Sequence, residues 1–250
     1  MATGIPKTIE SEIFDILNES IDSGSSLQDI ELQKLIRMAK TLQDPVKSVC
    51  LTALYSHSLK YELAADSAVK CFQSQRLDRS CVENTLSALS NARMFSEVVN
   101  LSKQYPFVLD FQQARIDCYE SALYLLDLQY CEYIFNNFRL ELSEGYFTHE
   151  KVISFFNDDS DLINRASDYF NYVFKSLREV LKLHSMRSAS LELGLVHSAY
   201  SSSIELAIYI KDRSFDEIMS IESDWLDRIS LYEVSDEILC DISFVIGEAN

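Results

Sequence analysis

Histidines and carboxylates are the side chains of this sequence that could carry chemistry. The four histidines have no second histidine or cysteine at a helical metal-binding spacing; they are His57, His149, His184 and His197. His149 and Glu150 could together bind a metal or transfer protons, but the pair is more simply the exposed start of a helix. His197 ends a predicted strand, and no nucleophile can be paired with it. The sequence therefore predicts no catalytic residue and no metal ligand among the histidines.

Carboxylates on predicted C-terminal strands give the strongest case for an enzyme. Glu192, Glu205 and Asp241 lie on neighbouring predicted strands and could converge on a divalent metal ion, as in a nuclease-like site. Lys211 would then have to act as the lysine that such sites place on a strand. The acids of "SFDEIMSIESDWLDR" lie mainly opposite an apolar stripe, which is typical of a solvated helix face. A metal-dependent enzyme is thus the second alternative, and no cofactor is predicted.

Motifs for nucleotide and acyl-transfer chemistry are absent. The sequence contains no GxxxxGK[ST], no GxGxxG and no GxSxG. The six cysteines include no CxxC pair, and their apolar contexts predict buried free thiols in a reducing cytoplasm; they are Cys50, Cys71, Cys81, Cys118, Cys131 and Cys240.

Charge and composition exclude several classes of partner. The net charge is −17, and residues 141–250 carry 21 acidic against 9 basic side chains. Such a surface repels phosphate backbones and therefore argues against nucleic-acid binding, whereas it suits a basic protein partner or simple solubility. The sequence has no apolar run of about 18 residues, and "MATGIPKTIESEIF" lacks the pattern of a signal peptide, so we expect no membrane segment and a cytoplasmic location.

Apolar residues recur with helical spacing over most of the chain. The sequence contains only 5 glycines and 3 prolines, and this scarcity of turn-forming residues favours helices over a turn-rich β fold. Periodicity and capping residues predict helices over 7–23, 27–42, 45–58, 61–74, 149–157 and 161–185. The expected N-caps are Ser26, Asp44 (followed by Pro45), Asp78, Thr148 and Ser160.

A 34-residue shift aligns one predicted helical hairpin with the next. Asp44 then aligns with Asp78, and Tyr61 aligns with Phe95, so that an aromatic residue opens each second helix. This period, with small Ala64 three residues after the aromatic, resembles the tetratricopeptide repeat.

The resemblance covers about residues 44–140. A third unit around "CYESALYLLDLQYCEYIFNNF" fits after a one-residue slip, whereas the family's Leu-Gly pair in the first helix is absent. The resemblance implies that exposed residues of the first helices face a partner, namely Ser48, Thr52, Ser56, Glu83 and Ser87. A plain bundle of helical hairpins would show the same apolar stripes.

After residue 187 the apolar period changes from 3.6 to 2. "ASLELGLVH" and "SIELAIYIK" predict a hairpin of two strands, and "EILCDISFVIG" predicts a third strand over 238–246. Between them Ser214 and Glu217 form a capping box that starts a helix ending near Ile229. The helical connection predicts a third strand that runs parallel to the second and adds beside the first.

The sequence therefore predicts a mainly α protein of stacked, tetratricopeptide-like helical hairpins followed by a small C-terminal β-β-α-β unit. The expected domains are a hairpin repeat over 1–140, connecting helices over 141–185 and the β-β-α-β unit over 186–250. We expect a non-enzymatic protein-interaction module, either an adaptor or chaperone-like. The first alternative is an acidic inhibitor or immunity-type protein that neutralises a basic toxin or nuclease through Asp216, Glu217, Asp224 and Asp227. A homodimer through the acidic helix and the 161–185 helix is a further option.

Overall fold

The fold is mainly α, with a small mixed sheet near the C-terminus. The computed structural model describes residues 8–22, 27–142, 146–186, 189–197, 202–211, 213–234 and 242–248. The chain forms two compact units, residues 1–114 and 115–250. The three-part domain organisation expected from the sequence stays a prediction.

Consecutive helices build residues 1–114. They are α1 (Ile9–Asp22), α2 (Asp29–Lys40), α3 (Val46–His57), α4 (Tyr61–Phe72), α5 (Arg79–Asn91), α6 (Phe95–Gln104) and a 3-10 helix (Pro106–Asp110). Each helix packs on the next one along the chain, and α3 also contacts α1 and α5. Leucines and isoleucines of α1 and α2 meet Cys50, Ala53 and Leu54 of α3 in one buried cluster. The apolar stripes read from the sequence thus face this core.

The corners between paired helices repeat along the chain. Leu59, Arg93 and Leu126 follow α3, α5 and α7 (Gln112–Tyr124) with φ of 59°, 59° and 52°. At each corner the next N–H bonds to the carbonyl five residues earlier: Lys60 to Tyr55, Met94 to Leu89 and Asp127 to Ala122. This left-handed residue with a long backward hydrogen bond is a Schellman motif. The corners lie 34 and 33 residues apart, which matches the repeat period found in the sequence.

Residues 115–250 contain the end of α7, further helices and the strands. The helices are α8 (Leu128–Asn137), α9 (His149–Phe155), α10 (Ser160–Leu183) and α11 (Phe215–Ile229), and the strands are β1 (Ser190–His197), β2 (Ser202–Ile210) and β3 (Ile242–Glu248). The predicted helices and strands all occur, with ends that differ by a few residues; residues 238–241 of the third predicted strand lie outside the described residues.

The sheet has the order β1-β2-β3. β2 pairs with β1 in antiparallel fashion and with β3 in parallel fashion. The prediction that the third strand adds beside the first is therefore wrong, although its direction parallel to the second is confirmed. A helical crossover fixes the direction of the strand that follows it, but not which edge of the hairpin that strand joins.

Aromatic side chains join the sheet to α10 and α11. Trp225 is fully buried, lies 5.3 Å from Phe244 between ring centroids and donates its indole N–H to the carbonyl of Val173 at 3.3 Å. Phe244 also contacts Tyr169 and Phe170. The density of aromatic residues in the 161–185 segment is thus explained by this core.

The helix caps agree with the sequence at some positions and not at others. Asp78 caps α5 through the N–H of Cys81, and Ser214 with Glu217 forms the predicted capping box of α11. Ser160 is not the cap of α10, because the carboxylate of Asp159 accepts from Asp161 and Leu162 there. Ser160 becomes the first helical residue instead.

Two further predicted caps lack the expected hydrogen bond. Thr148 occupies the N-cap of α9 without a side-chain capping bond. Pro45 occupies the N-cap of α3, so the prediction of Asp44 there is wrong. Asp44 instead holds the side chains of Lys47 and Ser48. Ser26 lies outside the described residues.

Candidate functional site

A groove between α3 and α4 forms a concave surface on residues 1–114. Its volume is about 510 Å³, and it is lined by Asp44, Lys47, Ser48, Leu51, Ser67, Lys70, Gln73 and Ser74. Lys70 on α4 and Gln73 at its C-cap are exposed, and Leu51 is half-buried on α3. The sequence analysis had assigned the partner surface to first helices alone. It missed the α4 residues because a groove depends on how two helices pack, which no local pattern records.

Asp44 organises one end of this groove. Its carboxylate lies 2.7 Å from the Lys47 ammonium and accepts the Ser48 hydroxyl at 2.6 Å. Burial alone would raise the pKa of Asp44, but hydrogen bonds from Lys47 and Ser48 hold it below its ordinary value. The negative charge of Asp44 is therefore engaged within the groove, while Lys70 is directed to solvent.

Three of the predicted partner-binding residues are buried. Ser48, Thr52 and Ser56 are 2%, 0% and 6% exposed, so the expectation that they are exposed is wrong, whereas their contact with a partner stays a prediction. Thr52 donates its hydroxyl to the carbonyl of Ser48 within the helix, which lets a small polar side chain sit in a core. Glu83 and Ser87 on α5 are half-buried, and Glu83 accepts from Arg79 and from the N–H of Gln113.

The acids of α11 occupy different environments. Asp216, Glu217 and Asp227 are exposed, as expected for a solvated face. Asp224 is half-buried, and its carboxylate lies 2.7 Å from Nε2 of His184, the C-cap of α10. Hydrogen bonds from the N–H and hydroxyl of Ser214 and from Arg213 lower the pKa of Glu217 to about 2.

Glu222 is an acidic residue that lies within the otherwise apolar stripe of α11. Its carboxylate accepts the main-chain N–H of Ile246 on β3 at 3.2 Å. This acid therefore faces the sheet and satisfies a donor at its edge rather than facing solvent.

The strand carboxylates do not form a described metal site. Glu192 pairs with Ala207, and Glu205 pairs with Gly194, which places both acids on one face of the sheet at diagonal positions. Asp241 lies outside the described residues. Across the described ranges, no three histidine, cysteine, aspartate or glutamate side chains form a group that could hold a metal ion.

His149 begins α9, as expected, but it is buried, so the expectation that it is exposed is wrong. Its side chain is 3% exposed, and Nδ1 lies 3.0 Å from the hydroxyl of Tyr119. The same hydroxyl accepts the main-chain N–H of His149 at 3.3 Å. Burial lowers the pKa of His149, against the opposing charges of Glu150 and Glu132.

His197 has a hydroxyl partner that the sequence analysis did not identify. Nδ1 of His197 lies 2.7 Å from Oγ of Ser202 across the end of the β1–β2 hairpin. A second cavity of about 540 Å³ adjoins this pair and is lined by Glu150, Lys151, Ser154, Phe155, Leu195, His197 and Ser202. The described residues record no carboxylate hydrogen-bonded to His197, so the third member of a catalytic triad is missing there.

The five described cysteines are free and buried, as predicted; Cys240 lies outside the described residues. Burial raises the pKa of Cys50 and Cys81 to about 12 and that of Cys71 to about 11. Thiols held in this protonated form are poor nucleophiles and poor metal ligands.

Two further findings bear on class. Among the described helices, none combines the length and the apolar character that crossing a bilayer requires. Comparison of the chain with protein-family models, curated proteins and solved structures gave no significant match.

Proposed function

We propose that this protein is a non-enzymatic, cytoplasmic protein-interaction module, an adaptor or chaperone-like, that binds a protein partner through its helical hairpins. The observation that carries the proposal is the groove between α3 and α4, within a series of hairpins whose corners repeat every 34 and 33 residues. Repeated hairpins of this period are tetratricopeptide-like, and such stacks commonly bind other proteins. The buried free thiols suit a reducing compartment.

Residues on both helices would make the contacts. Lys70 on α4, Gln73 at its C-cap and Leu51 on α3 offer a cationic, a polar and an apolar contact within one groove. Glu83 and Ser87 on α5 keep their role as proposed partner contacts, since both are partly accessible.

Site-specific cross-linking tests this function. A photo-reactive residue replaces Lys70 in the groove, and a matched variant carries it at Lys34, an exposed lysine of α2. The full chain is irradiated in native cytosol at low and at high salt. We expect a defined protein adduct at position 70, at both salts, that position 34 does not form. Equal adducts at the two positions, or none at position 70, would refute binding in this groove.

The acidic surface favours a second candidate function, inhibition of a basic protein. Residues 115–250 carry 25 acidic against 11 basic side chains, and Asp216, Glu217 and Asp227 are exposed on one helix. A complex formed by this surface should weaken steeply as ionic strength rises, because screening removes the attraction between the partners. A basic partner that is captured at low salt and lost at high salt would favour this function over the adaptor. Self-association alone would instead indicate a homodimer.

A further inference from the structure

Two side-chain hydrogen bonds show which main-chain groups of the sheet face outward. The hydroxyl of Tyr124 donates to the carbonyl of Leu191 on edge strand β1 at 3.1 Å. In a strand the N–H and C=O of one residue point to the same side, and alternate residues point to opposite sides. Leu193, Leu195 and His197 therefore also direct their main-chain groups away from β2, towards the side of β1 on which no described strand pairs with it, called the open edge below.

The opposite edge of the sheet is guarded. On β3 the N–H of Ile246 faces away from β2, where it donates to Glu222 of α11. An incoming strand would meet a carboxylate at the centre of that edge, and α11 packs against β3. Inward-reaching charges of this kind are a common protection of edge strands. Tyr124 contacts the outer edge of β1 as well, but at Leu191 near the start of the strand and with a neutral hydroxyl, so β1 is the edge better suited to accept another strand.

A cavity lies where an added strand would send its side chains. Leu195 and His197 of β1 line the cavity of about 540 Å³, and so does Phe155 of α9. An extended segment paired with β1 directs every second side chain to the face that carries Leu193 and Leu195. Phe155 and Leu195 are the apolar residues of the lining, and the other lining residues are polar. His197 and Ser202 are hydrogen-bonded to each other, and Lys151 donates to the carbonyl of Tyr146. The apolar pair therefore remains to receive apolar side chains at alternate positions.

The other face of β1 is acidic. Glu192 is exposed there, and Glu205 of β2 lies diagonally on the same face. The carboxylate of Glu192 raises the pKa of Tyr209, its other diagonal neighbour, which places the charge on this surface. A residue directly across from Glu192 on a new strand would have its Cβ about 4.5–5.5 Å away, where an opposite charge is stabilising. Alternate positions that face this side should therefore be basic.

We propose that the open edge of β1 binds an extended peptide segment of alternating apolar and basic side chains, which adds to the sheet as a fourth strand. Its main chain pairs with Leu193 and Leu195, its apolar side chains enter the cavity beside Phe155, and its basic side chains meet Glu192. This site lies within residues 115–250 and does not depend on the groove between α3 and α4.

Synthetic peptides test the site on the full chain. The probe is an acetylated, amidated octapeptide of four Lys-Val repeats, and its controls are the same composition in two blocks and two N-methylated forms. One form is methylated at the valine amides and the other at the lysine amides. We expect the block peptide to bind at least tenfold more weakly by calorimetry. One N-methylated form should also bind at least tenfold more weakly than the probe, and the other should bind as the probe does. The reason is that only every second amide of an edge strand donates to its neighbour.

Amide hydrogen exchange and a charge variant locate the bound peptide. Bound probe should protect the amides of Leu193 and Leu195 but not those of β3. Glu192→Lys should weaken the probe at least tenfold, whereas Glu248→Lys, the matched change on β3, should not. Equal binding of the alternating and block peptides, retention by both N-methylated forms, protection at β3, or no binding of the probe would each overturn the proposal. The hydrogen-exchange and N-methylated-peptide experiments use the protein without substitutions. Their results therefore test the proposal even if a variant folds poorly.

Discussion

Small hydroxyl side chains of α3 show how a residue's type can mislead about its position. Ser48, Thr52 and Ser56 are polar at the spacing of one helix face, which favoured an exposed surface. All three are buried, since a short hydroxyl can return its proton to a nearby carbonyl or carboxylate. The hydroxyl of Ser56 differs from the others, because it has no hydrogen-bond partner among the described residues.

Replacement of these two serines should have opposite effects. Ser56→Ala removes a buried, unsatisfied hydroxyl and should leave the free energy of unfolding unchanged or raise it by up to about 1 kcal/mol. Ser48→Ala removes the donor to Asp44 and should lower it by about 1 kcal/mol. Urea unfolding of both variants measures the difference. A loss of stability in Ser56→Ala equal to that in Ser48→Ala would show that Ser56 is hydrogen-bonded.

His149 should make stability depend on pH. Its pKa is lowered in the folded chain by burial, so folding favours the neutral imidazole. The contribution of His149 to the free energy of unfolding is complete above pH 6.5, the ordinary pKa of histidine. It is lost as the pH falls below 6.5, by at most about 1.4 kcal/mol per pH unit. The imidazole of His149 is faced by Tyr119 of α7, Glu132 of α8 and Glu150 of α9. The charges of both acids raise its pKa and so oppose the effect of burial.

The measurement compares urea unfolding at pH 7.5 and 5.5. In His149→Gln the loss of stability between these two pH values should shrink, whatever the stability of the variant at pH 7.5. His197→Gln, which changes an exposed histidine, should keep the loss seen in the parent protein. An unchanged loss in His149→Gln would assign the pH dependence to other groups.

At the scale of elements, periodicity predicted the helices and strands well and their ends less well. The corner after α3, at Leu59, lies between the helices predicted over 45–58 and 61–74, although no glycine marks it. The position of β3 was predicted incorrectly, because the contacts that place β3 beside β2 come from α11 and the aromatic core. The grooves could not be predicted at all, since each is lined by elements that are distant in sequence or by both members of a hairpin.

The N-terminus of α10 distinguishes two neighbouring capping candidates. Asp159→Ala removes the acceptor for the N–H groups of Asp161 and Leu162 and should lower the free energy of unfolding by about 1 kcal/mol. Ser160→Ala changes only the first helical residue and should alter it by less than about 0.5 kcal/mol. Equilibrium unfolding of the pair gives the answer, and the reverse order of the two losses would restore Ser160 as the cap.

The C-terminus of α10 should gain stability from glycine. Ser185 is exposed with φ of 52°, and the next N–H, of Met186, bonds back to Leu181. Ser185→Gly relieves the left-handed strain and should raise the free energy of unfolding by about 0.5–1 kcal/mol. Ser230→Gly at the end of α11, where φ is −65°, should lower it by a similar amount. Thermal unfolding compares the two, and a loss in Ser185→Gly would contradict the assigned corner.

At the scale of the molecule, negative charge is the dominant property. The excess is concentrated in residues 115–250, where the net charge is −14. Composition predicted this feature fully, since it requires no folded structure. What the charge recognises could not be predicted, because that depends on which acids remain accessible and which, like Glu222, are used inside the fold.

Salt should stabilise this protein. Screening reduces repulsion among the acids, and the Debye length falls to about 10 Å at 0.1 M salt. We expect the melting temperature to rise between 20 and 300 mM NaCl, by about 2–4 °C for each kcal/mol of repulsion relieved. Asp227→Asn with Glu233→Gln, which neutralises two exposed acids, should raise the low-salt melting temperature and reduce its salt response. A melting temperature that falls with salt would mean that ion pairs outweigh repulsion.

The burial of Trp225 gives the molecule a built-in optical reporter. It is the one tryptophan of the sequence, and it is sealed between α10, α11 and the sheet. Its fluorescence shifts to longer wavelength when water reaches the indole. The wavelength of the emission maximum therefore reports the unfolding of residues 115–250 alone. Circular dichroism sums the helices of both units. Overlaying the two signals during heating therefore assigns each melting step to its half of the chain without any attached dye.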